Sequence, residues 1–290
     1  MRSRVIALAN QKGGVGKTTT AVNLSACLAG LSCRTLLIDI DPQANATSGL
    51  GFEKEHGRSV YGALLGTTPL SDLIQPTTID GLDLIPSEID LAGAEVDIAR
   101  TENYLHRFQY ALKPILEEGR YDFIFLDCPP SLGMLTMNGL TAAHSMLVPL
   151  QCEYYALEGL SVINRLIAQL SEANANVHLE LEGVVITMYD GRTNLAQQVV
   201  AEVREHFGDK VYDTMIPRNI RLSEAPSYGQ PIVIYDSCST GAHAYRELAS
   251  EFILRRGAAD GTSTADQSTA DAETSAATAT PEQPSPSGTA

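Results

Sequence analysis

Apolar positions along the chain follow two rhythms. Short unbroken runs, rich in β-branched residues, fall at Val5–Ala9, Thr35–Ile40, Leu82–Ile85, Phe123–Leu126, Met146–Leu150 and Val184–Met188. They read as strands, and their lack of apolar–polar alternation suits strands covered on both faces of a parallel sheet. Between them, apolar residues recur at helical spacing over Thr18–Leu31, Glu102–Glu117, Met134–Ala143, Leu157–Ala173 and Leu195–Phe207. A last helix over Gly241–Arg256 sets Tyr245, Leu248, Ala249 and Phe252 on one face. Strands alternating with helices predict an α/β fold: a doubly wound, mainly parallel sheet flanked by helices.

Both rhythms stop after Arg256. Residues 257–290 hold 9 Ala, 7 Thr, 5 Ser and 3 Pro, with no aromatic, Leu, Ile, Val, Met, Lys or Arg. Such a segment cannot bury enough apolar surface to offset its ordering entropy, so it is expected to be a disordered acidic tail. One globular domain over 1–256 remains. No run approaches the roughly 18 consecutive apolar residues of a transmembrane helix, and no early segment has the layout of a signal peptide. The five cysteines form no C-x-x-C pair, and an odd count suits a reduced, cytoplasmic protein. The histidines are scattered, without metal-ligand spacing.

Charge changes the picture only once it is divided along the chain. The net charge is -15, which as a bulk number argues against nucleic acid and anionic membranes as partners. Residues 1–182 carry 12 basic and 21 acidic residues, residues 183–256 carry 8 and 9, and the tail carries 0 and 5. The segment 183–256 is thus nearly neutral, and the acidity lies elsewhere.

The strongest chemical signal is Lys12-Gly13-Gly14-Val15-Gly16-Lys17-Thr18-Thr19, set between the first strand and the first helix. Glycines in that position let backbone N–H groups curl around phosphate oxygens, and a helix N-terminus adds a favourable dipole. Lys17 would then reach the β- and γ-phosphates and the Thr18 hydroxyl would bind Mg²⁺, as in a P-loop NTPase. Asp39 and Asp41 close the second strand, at the edge of an α/β sheet where ligands bind. Phe123–Asp127 is an apolar strand ending in a carboxylate, a Walker B element in which Asp127 would hold Mg²⁺ through water. Cys128 reads as a small buried residue, and Pro129 and Pro130 stiffen the loop after it.

One departure from the general phosphate-loop pattern is informative. The position six residues before Lys17 is Gln11 rather than glycine, and a second lysine, Lys12, follows it. The stretch Asn10–Thr19 resembles the deviant Walker A motif of ParA/Soj partition ATPases, MinD, the arsenite-pump ATPase and the nitrogenase iron protein. That resemblance implies a nucleotide-sandwich homodimer in which Lys12 reaches the partner's phosphates. A cation delivered in trans would neutralise charge developing on the transferred phosphoryl group. It further implies that Asp41 positions the attacking water and that Asp39 sits near Mg²⁺. The stretch Ile216–Ser227 is similar to the ParA/Soj type, in which Pro217 and Asn219 match positions that cup the adenine. Gln151–Leu160 is similar to the same type, and is expected near the dimer interface.

Within that family, Thr187–Thr193 and Pro217–Ser227 look like the small chromosomal ParA/Soj type. The resemblance implies that Arg192 and Arg221 contact double-stranded DNA without sequence preference, through its phosphates. The implied function is an ATPase that dimerises on ATP, binds the nucleoid, and is stimulated by a centromere-bound ParB-type partner to segregate DNA. Two other readings stay open: a MinD-like positioner of a non-DNA cargo, and an ATP-dependent small-molecule synthetase or amidase. A MinD-like membrane helix is not favoured, because the amphipathic face of Gly241–Arg256 is explained more simply by packing onto the sheet.

Overall fold

The apolar runs pair as predicted in the computed structural model, which describes residues 3–257. Seven strands form one sheet: β1 (Arg4–Leu8), β2 (Thr35–Asp39), β3 (Gln75–Pro76), β4 (Leu82–Ile85), β5 (Phe123–Asp127), β6 (Ser145–Gln151) and β7 (Glu180–Thr187). Their order is β3-β4-β2-β5-β1-β6-β7. Every neighbouring pair is parallel except β3 with β4 at the edge. The unbroken apolar character of the inner strands has its cause here: Val5, Ile6, Ala7 and Leu8 of β1 and Leu36, Leu37 and Ile38 of β2 are fully buried, as helices on both faces require.

The helices are α1 (Lys17–Gly30), α2 (Asn45–Gly49), α3 (Val60–Leu65), α4 (Leu91–Ile98), α5 (Arg107–Glu118), α6 (Met134–Ala142), α7 (Ala156–Glu172), α8 (Asn194–Phe207), α9 (Ile220–Glu224) and α10 (Ile232–Tyr235). A further helix, α11, covers 240–257. Contacts group the chain into a unit ending at Ala249 and a second beginning at Ser250. In the first, Tyr245, Leu248 and Ala249 of α11 are buried. The described part of the second is the rest of that helix, where Arg255 pairs with Glu251 at 2.7 Å. The expected tail lies, apart from Gly257, outside the described residues.

Two boundaries differ from expectation for local reasons. The helix expected from Glu102 begins as a 3-10 turn, Tyr104–His106, because Asn103 takes a left-handed φ of 54° that breaks the run. The last strand starts at Glu180 and stops at Thr187, because Met188 has a φ of 49°. That reversal lets Tyr189 pair with Pro217.

This topology fixes where chemistry can sit. The connection from β1 through α1 to β2 passes over β5, whereas that from β5 through α6 to β6 passes over β1. Adjacent strands whose connections leave in opposite directions open a crevice at their carboxyl ends. Registration places Leu8 beside Asp127 and Asp127 beside Asp39 there.

Candidate active site

The loop after β1 is shaped by two left-handed glycines, Gly14 at φ 74° and Gly16 at φ 87°. A Cβ at either would strain the turn. Neighbouring strand ends hold the loop in place. The Thr187 hydroxyl donates to the Val15 carbonyl at 2.7 Å. The Asn10 amide donates to the Pro149 carbonyl at 2.8 Å and its side-chain oxygen accepts from the Lys12 N–H at 3.0 Å. Gly16 caps α1, which has no side-chain cap and no acidic residue in its first turn. Its leading N–H groups and positive dipole end are therefore presented to an anion rather than to the chain.

The two lysines of the loop are placed differently. Lys17 is buried, and its ammonium donates to the Lys12 carbonyl at 3.0 Å. Burial lowers its proton affinity, while Asp127, Cys128 and Asp41 support the charged form. Lys12 is half-exposed on the outer rim, where its ammonium pairs with Glu153 in the turn before α7. A cavity of about 300 Å³ opens beside that pair, walled by Val15, Leu150, Ala156 and Val162. Tyr154 and Tyr155 stand exposed nearby in the chain, in edge-to-face contact at 5.0 Å. Lys12, Glu153 and the start of α7 thus adjoin.

Three carboxylates converge on the floor. Asp127 is fully buried, and neither of its oxygens has a hydrogen-bond partner. Burial, and next the neighbouring Asp39, push its proton affinity well up; the Thr18 hydroxyl and Lys17 pull it down without completing a hydrogen bond. An unpaired buried carboxylate is costly unless a cation completes it. Asp39 is equally buried, but its oxygens accept from the Asp41 N–H at 3.1 Å, the Thr47 N–H at 2.8 Å and the Thr47 hydroxyl at 2.7 Å. Burial raises it to about 6 against those hydrogen bonds. Asp39 is therefore engaged with its own loop, whereas the oxygens of Asp127 are not. Asp41 is 6% exposed, and its Oδ1 accepts from the Gln43 N–H at 2.9 Å. Cys128 is buried, as read from sequence, and Pro130 packs within 3.9 Å of where a Gly13 Cβ would lie.

A second cavity, of about 240 Å³, runs from Thr18 and Thr19 to Asn45, Ser48, Pro226 and Gln230. Pro217 and Asn219 do not line it. Pro217 pairs with Tyr189, and Asn219 caps α9 while donating to the Thr240 hydroxyl at 2.7 Å. Arg192 and Arg221 lie exposed on segments tied together by the Tyr189–Pro217 pairing. Arg192 forms a bidentate pair with Asp190 at 2.8 and 2.6 Å. Arg221 contacts Glu224 at 2.9 Å and Asp236 at 3.5 Å. Arg218, which sequence reasoning passed over, is exposed between them and acts electrostatically on Asp190. Thr47 and Ser87 were also missed. The available signal was the position of Ser87 just past the carboxyl end of β4, on the ligand edge of the sheet.

Comparison with known proteins gives this site a context. A family model described as an AAA domain matches residues 3–181. The chain is 53% identical over 249 residues to the sporulation initiation inhibitor protein Soj of Bacillus subtilis, covering 86% of this chain and 97% of that one. It is 54% identical to the chromosome-partitioning ATPase Soj of Thermus thermophilus, covering 87% and 96%. Among solved structures it resembles a Mycobacterium smegmatis protein named cobyrinic acid a,c-diamide synthase, crystallised with an ATP analogue and magnesium. That likeness has a TM-score of 0.73 and 38% identity over 86% of this chain and 93% of that one.

Proposed function

The chain belongs to the ParA/Soj family of chromosome-partitioning ATPases, and from that premise we propose an ATP-driven switch that dimerises on ATP, binds DNA without sequence preference, and lets go on hydrolysis. The observation that carries this reading is the division of labour between two lysines in one loop. Lys17 sits in the interior, beside the carboxylates, while Lys12 stands on the rim, available to a second copy.

In this reading Gly13, Gly14, Val15, Gly16, Lys17, Thr18 and Thr19 bind the phosphates, the backbone N–H groups of the loop supplying most donors. The unpaired oxygens of Asp127 and the Thr18 hydroxyl would hold a hydrated Mg²⁺, which would supply positive charge to the phosphates. Asp39 serves that cation's neighbourhood indirectly, by holding the loop that carries Asp41. The remaining carboxylate oxygen of Asp41 orients the attacking water. Lys12 leaves Glu153 and meets the partner's phosphates, so the site is completed only in the dimer and turnover in the monomer is slow. Pro217 and Asn219 flank the base. Arg192 and Arg221 contact DNA phosphates, and a ParB-type protein accelerates hydrolysis. Among the described residues no helix is long and apolar enough to cross a membrane. A cytoplasmic, nucleoid-associated protein is consistent with that.

Replacing Lys12 by Ala is the direct test. ATP should still bind, because Lys17 and the loop remain. Light scattering should show no ATP-dependent dimer, and hydrolysis should fall by at least roughly tenfold, as for loss of a trans cation. A variant that still dimerises contradicts the trans-lysine reading. The name of the Mycobacterium relative favours a second reading, ATP-dependent amidation of a small molecule. That reading gives the Arg192–Arg221 region no role, so DNA binding separates the two.

A further inference from the structure

Asp41 is held by its backbone from two sides, and the partners form a closed circuit. The Asp41 N–H donates to Asp39 Oδ1 at 3.1 Å. The Asp41 carbonyl accepts from the Ser87 hydroxyl at 2.7 Å. The Ser87 N–H donates to Thr47 Oγ1 at 2.9 Å, and the Thr47 hydroxyl donates back to Asp39 Oδ2 at 2.7 Å. Asp39, Thr47 and Ser87 are fully buried and Asp41 nearly so. Away from water, such a ring is worth more than its separate bonds, and opening one link strands the others.

The ring spans three separate parts of the chain. Asp39 ends β2 beside Asp127, Thr47 lies in α2, and Ser87 follows β4. Each hydroxyl in it both donates and accepts, or donates beside its own N–H, so no apolar side chain of the same shape can stand in. The side chain of Asp41 is not part of the circuit; only its peptide groups are. The ring therefore fixes where the carboxylate starts from while leaving it free to act.

From this we infer that Ser87 and Thr47 are positioning residues for hydrolysis, which act through Asp41 by clamping its peptide groups against Asp39. This rests on the reading of Asp41 as the residue that orients water. A misplacement of about 1 Å at such a residue costs on the order of a hundredfold in rate without touching substrate affinity.

The test uses the full chain with Mg·ATP and measures hydrolysis at saturating ATP, ATP affinity and thermal stability. Ser87→Ala should lower the maximal rate by about tenfold or more and leave ATP affinity within about twofold. Thr47→Val should do the same, and Thr47→Ser, which keeps the hydroxyl, should restore most of the rate. Should Ser87→Ala fail to fold, the Thr47 pair carries the test. The decisive comparison is Ser87→Ala made in an Asp41→Ala background. No further loss there supports action through Asp41. A further tenfold loss overturns the inference, as does a Thr47→Val rate equal to the parent's. If Asp41→Ala by itself leaves hydrolysis unchanged, the reading of Asp41 has failed, and the inference falls with it.

Discussion

At the scale of single residues, the site is built from groups that the fold holds at a disadvantage. Asp127 is fully buried with both oxygens unpartnered, and Asp39 is buried next to it. Burial raises the proton affinity of both, Asp39 to about 6. The native state then keeps protons that the unfolded chain has already released. Stability without nucleotide therefore falls as pH rises from the ordinary carboxylate range through about 6. Replacing Asp127 by Asn removes one of the two groups responsible. Thermal melts of nucleotide-free protein between pH 4.5 and 6.5 should show a shallower decline in Asp127→Asn than in the parent, and little gain in stability from added Mg·ATP. Parallel pH profiles would mean that Asp127 is not strained in the fold. The same cost is what a cation would relieve, so the strain at these buried carboxylates and affinity for magnesium have one origin.

At the scale of elements, the long ones were legible in sequence and the short ones were not. The inner strands show as unbroken apolar runs because both faces of the sheet are covered, and α7 and α8 show as apolar stripes at helical spacing because one face of each is buried. The helices α2, α9 and α10 have only four or five residues, too few to show a period. They are held by tertiary contact instead. The loop at Gly51, just after α2, meets Gly229 so closely that a Cβ on Gly229 would lie 2.5 Å from the Gly51 Cα, and Gly229 itself has φ +63°. Gly229→Ala should therefore cost on the order of 1–3 kcal/mol through strain and overpacking, visible as a lowered denaturation midpoint. An unchanged midpoint would show that this contact is loose. In the site, the phosphate-loop spacing pointed to Lys17 and Thr18 and the apolar strand ending in a carboxylate pointed to Asp127, whereas the roles expected of Lys12 and Asp41 came from the family resemblance. The ring through Thr47 and Ser87 was hidden: it joins residues 40 positions apart, and nothing in either local sequence announces the pairing.

At the scale of the molecule, the charge of -15 and a DNA-binding role are reconciled by placement. The proposed DNA face carries Arg192, Arg218 and Arg221 on neighbouring segments, within a stretch of nearly balanced charge. Its arginines rest on carboxylates. Arg192 holds Asp190 down to about 2, and Arg221 sits against Glu224 and Asp236. Such exposed pairs are weak in water and yield to a denser anion. On the proposed function, one copy would offer few phosphate contacts and an ATP-bound pair would double them, so DNA affinity should depend on nucleotide and fall steeply with salt. The most direct measurement is DNA binding by the full chain with ATP, with ADP and without nucleotide, across a salt series. The account predicts binding with ATP alone, a steep salt dependence, and loss of binding in Arg192→Glu/Arg221→Glu while ATP-dependent dimerisation persists. Equal binding in all three nucleotide states, or a double variant that binds like the parent, would contradict it.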